Sequence, residues 1–180
     1  MHTFAVQSKF MFNHSSFSTI KAFIFDVDGV LTDGKVLITE DGQFLRSMSV
    51  RDGQAMKIAI KTGYQMYIIT KGASMGVRNR LELLGVSGIY DKLPEKVSAM
   101  QDILQKTGLQ KEEILYMGDD LPDLALLPYV GVFTCPNDAV PEVLDKAHYI
   151  SSIKGGDGCA RDVIEKVLKL HNNWYNEAYL

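Results

Sequence analysis

Cysteine is scarce, and basic tracts and long apolar runs are missing. Cys135 and Cys159 are the only two thiols in 180 residues, and neither sits in a CxxC or Cys/His ligand spacing. That excludes a disulfide scaffold and a zinc-thiolate site, and free thiols suit a reducing cytoplasm. No apolar run reaches the ~18 residues a membrane helix needs. A net charge of −3 without any basic tract excludes general nucleic-acid binding. Internal repeats and low-complexity linkers are absent too, so 180 residues read as one domain. Residues 1–18 lack the apolar core and small-residue cleavage site of a secretory signal. They read as a loosely held leader, with Met11 as an alternative start, before a single domain over 19–180.

What is present is enough apolar material, 46% of residues, for a core that needs no staples. It is distributed as short apolar runs alternating with helical periodicity. Strands are expected over 22–25, 66–69, 89–90, 114–117, 130–133 and 149–150. Helices are expected over 73–84, 94–107, 120–127, 140–147 and 161–170. A further helix carries Ala55, Ile58 and Ala59 after Arg51-Asp52-Gly53 and ends near Thr62-Gly63. Such alternation implies an α/β fold, a doubly wound Rossmann-like parallel sheet with helices on both faces. Asp41-Gly42 between runs 35–39 and 43–49 signals a hairpin, which interrupts the first strand-to-helix connection. It serves either as a small flap over a site or as surface decoration.

The chain is organised around Asp26-Val-Asp28-Gly29-Val-Leu-Thr32-Asp33, where acids crowd the end of a buried strand. In open α/β sheets ligands bind just beyond the carboxyl ends of the strands. Neighbouring carboxylates repel unless a cation intervenes, and Mg²⁺ suits such oxygen ligands. A capped polar loop would carry the same letters. Three more polar groups follow strands. Thr70 would hold a phosphate oxygen or cap a helix. Lys96, a cation at a helix start, either meets an anion or lies exposed. Gly118-Asp119-Asp120-Leu-Pro-Asp123 again calls for a counter-ion.

In this order the four motifs resemble those of the haloacid dehalogenase superfamily over roughly residues 20–170. The hairpin, the lack of a large cap domain, Val50-Arg51-Asp52-Gly53 and Gly155-Gly156-Asp-Gly158-Cys-Ala-Arg161 resemble its 3-deoxy-D-manno-octulosonate 8-phosphate phosphatase branch. The resemblance implies an Mg²⁺-dependent phosphatase acting in lipopolysaccharide precursor synthesis on a phosphorylated sugar acid. It also implies a homotetramer whose flap and tail meet neighbouring subunits. Asp26 would be the nucleophile, forming an aspartyl phosphate, and Asp28 the general acid and base. Asp26, the Asp28 carbonyl and Asp119 would hold Mg²⁺. Thr70 and Lys96 would hold the phosphoryl oxygens, while Asp120 and Asp123 orient Lys96 and metal-bound water.

Gly29, Thr32, Arg51, Lys71 and Arg78 are the expected substrate contacts, although either arginine also reads as a solvated surface residue. Arg161 supports a neighbour's site or merely starts the last helix. The branch often carries Gly-Arg after the second-motif Thr, and commonly Gly where Ala55 stands; here the former is Lys71-Gly72. Two alternatives remain: a phosphatase for nine-carbon nonulosonate 9-phosphates on the same scaffold, and a phospho-accepting receiver-like switch. A non-catalytic descendant is disfavoured because every core acid is present.

Overall fold

The computed structural model describes residues 14–174. Its centre is a six-stranded parallel sheet in the order β5-β4-β1-β6-β7-β8. The strands are β1 (Ala22–Phe25), β4 (Gln65–Ile69), β5 (Gly88–Tyr90), β6 (Ile114–Met117), β7 (Val132–Cys135) and β8 (Tyr149–Ile150). Every residue of β1, β6 and β7 is buried, which is why these strands read as continuous apolar runs. Alternation along β1 divides the core. Phe23 and Phe25 join a cluster with α2 (Val50–Lys61), α3 (Met75–Leu84) and α6 (Cys159–Leu170). Ala22 and Ile24 face α4 (Val97–Thr107) and α5 (Pro141–Lys146) on the other side.

The chain winds outward from β1 to β4 and β5, then crosses back to place β6 on β1's other edge. Asp26 and Asp119 therefore follow the two strands that flank the switch point, where such sheets bind ligands. Counted along the main sheet alone, the order is 3-2-1-4-5-6, not the 2-1-3-4-5 of receiver domains.

Several boundaries differ from the expected ones, and the helix starts do so through their caps. Helix α2 already begins at Val50, because the Ser49 hydroxyl accepts from the Asp52 N–H, so Arg51-Asp52-Gly53 lies inside its first turn. Ser74 caps α3 in the same way, two residues later than expected. Helix α4 starts at Val97, not at Pro94, because the Glu95 carboxylate accepts from the Val97 and Ser98 N–H groups. The segment expected as a short helix is a 3-10 stretch over Leu121–Tyr129, and β7 lies two residues beyond its expected place.

Between β1 and α2 the only insertion is the hairpin. Its ladder pairs just β2 (Leu37–Ile38) with β3 (Phe44–Leu45), shorter than the expected arms. Of the expected leader, residues 1–13 lie outside the described residues. Helix α1 (His14–Phe17) is packed, with Phe17 buried edge-on against Tyr149 at 5.8 Å. Both cysteines are buried and neither is in a disulfide. Among the described residues, no helix is long and apolar enough to cross a membrane.

Candidate active site

Lys96 is the hub of the site. It is 3% exposed, and its Nζ lies 2.7 Å from Asp26 Oδ2, 2.6 Å from Asp123 Oδ1 and 3.4 Å from the Tyr116 hydroxyl. Burial alone would lower its pKa, but Asp26 and Asp123 outweigh that and raise it, so it stays charged. Asp26 is pushed up to about 6, chiefly by burial, with Lys96 opposing and Asp123 adding to the rise. Its Oδ1 accepts from the Val27 N–H at 2.6 Å.

Asp123 is wholly buried and fully engaged. Oδ1 accepts from Lys96 and the Tyr116 hydroxyl, and Oδ2 from the Asp119 and Asp120 N–H groups at 2.9 and 3.1 Å. These contacts use about four lone-pair sites, all that a carboxylate offers. Gly118 makes the approach feasible, since a Cβ there would fall 2.2 Å from Asp123 Cγ.

Asp119 is the opposite case. Its Oδ1 is buried without a hydrogen-bond partner, and its pKa is pushed up to about 8 by burial, then by Asp123 and Asp26. Oxygens of Asp26, Asp119 and Asp123 lie within 4.8 Å of one another. With Asp123 already satisfied, Asp26 and Asp119 are the pair left to hold a cation, and an orphaned carboxylate oxygen among like charges fits a hard divalent ion. Gly29, at φ 87°, makes space: a Cβ there would lie 1.9 Å from Asp119 Oδ2.

A hollow of about 220 Å³ is lined by Asp26, Asp28, Thr70, Lys71, Lys96 and Asp119 among others. The strand ends thus gather the nucleophile, acid–base and phosphate-holding candidates. The Thr70 hydroxyl accepts from the Gly72 N–H at 3.2 Å, which leaves its own proton to donate.

Of the other expected contacts, Thr32, Arg51 and Arg78 do not line this hollow. Thr32 is buried, and its hydroxyl braces the loop by donating to the Val27 carbonyl and accepting from the Gly29 and Gly34 N–H groups. Arg78 is committed to Asp91 at 2.8 and 2.9 Å and to Glu82. Arg51 lines a separate hollow beside α6. Asp120 caps the 3-10 stretch by accepting from Leu121 N–H, and Asp123 is the acid that orients Lys96. Sequence reasoning missed Tyr116, which looks like any aromatic in a buried strand, and Arg46, whose signal was a cation at the root of the hairpin.

The two late motifs prove to be one structural unit. Asp52 Oδ1 accepts from the Arg161 N–H at 2.7 Å, giving α6 the cap that Gly158 cannot supply. Arg161 opens that helix, and its side chain pairs with Glu165 and lies over the Trp174 ring. A Cβ on Gly155 would fall 2.0 Å from the Gly29 carbonyl oxygen, and the Gly156 N–H donates to Val30 at 2.9 Å. The tail therefore buttresses the loop that carries Asp28.

A buried acid–lysine hub at a sheet switch point, beneath a small hairpin, is the arrangement of haloacid dehalogenase-like hydrolases, and the chain belongs to that family. The family's model matches residues 84–162. Within it the chain is a phosphoric monoester hydrolase, which removes the receiver-like switch from consideration. It is 34% identical to 3-deoxy-D-manno-octulosonate 8-phosphate phosphatase of Yersinia pestis over 84% of this chain and 81% of that protein. The crystal structure of the Yersinia pestis phosphatase superposes with a TM-score of 0.87 at 32% identity, covering 89% of this chain and 87% of that one. The phosphatase of Moraxella catarrhalis, solved with magnesium ion, phosphate ion and a KDO molecule, gives 0.86 at 31% identity, covering 89% and 92%.

Proposed function

We propose that this chain is a magnesium-dependent phosphatase that hydrolyses 3-deoxy-D-manno-octulosonate 8-phosphate through a phosphate ester formed on Asp26. The observation that carries the reading is the unmatched Asp119 oxygen beside Asp26 and the Lys96 hub. Asp26 and Asp119, with the main-chain carbonyl of Asp28, would hold Mg²⁺, which when bound offsets negative charge on the phosphoryl oxygens.

An Asp26 oxygen forms the new bond to phosphorus as the phosphorus–sugar oxygen bond breaks, and Asp28 gives its proton to the departing sugar oxygen. Water then attacks the phosphorus of the aspartyl phosphate while Asp28 takes the water's proton. Orthophosphate leaves and Asp26 is restored. Lys96 and Thr70 hold the non-bridging oxygens, and Asp123 keeps Lys96 aimed.

Leu37, Ile38 and Phe44 of the hairpin are more than 60% exposed, which supports a homotetramer whose flaps meet neighbouring subunits. Two buried cysteines that form no disulfide agree with a cytoplasmic setting.

The test is phosphate release from a panel of phosphorylated acid sugars with Mg²⁺ and with chelator. The eight-carbon acid should give the highest kcat/KM, and only with Mg²⁺. Strong preference for a nine-carbon nonulosonate would replace the substrate while keeping the chemistry.

A further inference from the structure

Arg46 stands just past β3, at the root of the flap, and its guanidinium takes both oxygens of Asp28. Nε donates to Oδ1 at 2.6 Å and Nη2 to Oδ2 at 3.2 Å. The side chain is 10% exposed, yet its third nitrogen, Nη1, is buried without a hydrogen-bond partner. A buried donor on a charged group is costly to leave unmet, so this one awaits an acceptor. Asp28, Arg46, Thr70, Gly72 and Arg78 line one narrow cleft. Arg78 is already paired with Asp91, so Arg46 is the guanidinium in that cleft with a donor to spare. Gly72 opens the space for the pair, since a Cβ there would come within 2.9 Å of Asp28 Oδ2 and 3.7 Å of Arg46 Nη2.

Resting on the phosphatase reading above, we propose that Arg46 is a substrate-gated clamp on Asp28 and the residue that selects acidic sugars. Without substrate the fork fixes the Asp28 carboxylate, which cannot turn to the leaving oxygen until the fork lets go. A carboxylate is the planar two-oxygen partner that matches a guanidinium, so a sugar acid competes for Arg46 with the same chemistry as Asp28. A neutral sugar phosphate has nothing to offer it. The flap that carries Arg46 is a two-stranded ladder of its own, two residues on each strand and not joined to the main sheet, which suits such an exchange.

The test uses the full chain with Mg²⁺ and two esters, the eight-carbon acid sugar phosphate and a neutral hexose 6-phosphate. In Arg46→Ala, kcat/KM for the acid sugar should fall about 10- to 100-fold, the worth of a charge-assisted hydrogen bond. The kcat for the neutral ester should rise, so that the preference between the two collapses. Arg46→Lys, which keeps charge but loses the fork, should lie between, and it carries the comparison if the alanine variant does not fold. Equal losses on both esters would make Arg46 a mere support for Asp28, and an unmoved acid-sugar rate would also overturn the clamp. A wild type that hydrolyses neither ester would instead defeat the phosphatase reading itself, before any variant is compared.

Discussion

At the rim of the sheet, Lys96 and Asp123 are buried outright and matched donor to acceptor, whereas the flap leaves Leu37, Ile38 and Phe44 at 66%, 65% and 61% exposure and offers one deeply held charge, Arg46. The rim groups are aimed by strands β1 and β6 and by glycines that admit no side chain. The flap's own ladder pairs four residues, none of them with the main sheet. On the proposed function, the chemistry would sit where the backbone is held most firmly, and recognition would fall to an element that is held less.

The sharpest way to break this contrast is at the rim. Asp26→Asn should lower kcat by about 10⁴-fold or more while circular dichroism stays unchanged, because the nucleophile is lost without loss of shape. Turnover near the wild-type rate would remove Asp26 from that role. Lys96→Met should cost about 3–5 kcal/mol in urea unfolding, since it strands the buried carboxylates of Asp26 and Asp123. A loss below about 1 kcal/mol would mean that the hub is not a stability element.

Asp52 extends the comparison to a buried acid outside the site. Burial raises its pKa from 3.8 to about 6, partly offset by the Arg161 N–H. A raised carboxyl pKa means the folded state binds more protons between those values, so stability falls as pH rises through them and is level above. Relative to Asp52→Asn, the wild type should lose up to ~1.4 kcal/mol per pH unit between about pH 4 and 6. Parallel stability curves for the two proteins would contradict that. On the flap, Leu37→Ser should change folding stability by less than about 0.5 kcal/mol. Its effect should show in the number of subunits by light scattering, and an unchanged assembly would take the hairpin out of the subunit interface.

The sheet and the rim were largely legible in the sequence. Buried parallel strands write themselves as apolar runs, and the first or second residue after each run falls at the ligand-binding edge. That placed Asp26, Thr70 and Asp119 together, with Lys96 and Asp123 close behind. Helix starts were less legible because single caps decide them, as at Ser49, Ser74 and Glu95. Which way a loop side chain turns was not legible at all. Thr32 bends inward to brace its loop, and Arg78 is captured by Asp91, thirteen residues along the chain. The one local mark of Arg46, a cation at the root of the hairpin, did not name its partner, since Asp28 lies eighteen residues earlier and only the folded hairpin brings them together.

The proposed chemistry requires the acids at the rim to cage a doubly positive ion. Calorimetric titration of the purified chain with Mg²⁺ tests this directly, alongside Asp119→Asn. One binding event in the wild type that disappears in the variant, with the fold retained, is the expected result. Absence of binding in the wild type, or equal affinity in the two proteins, would contradict it.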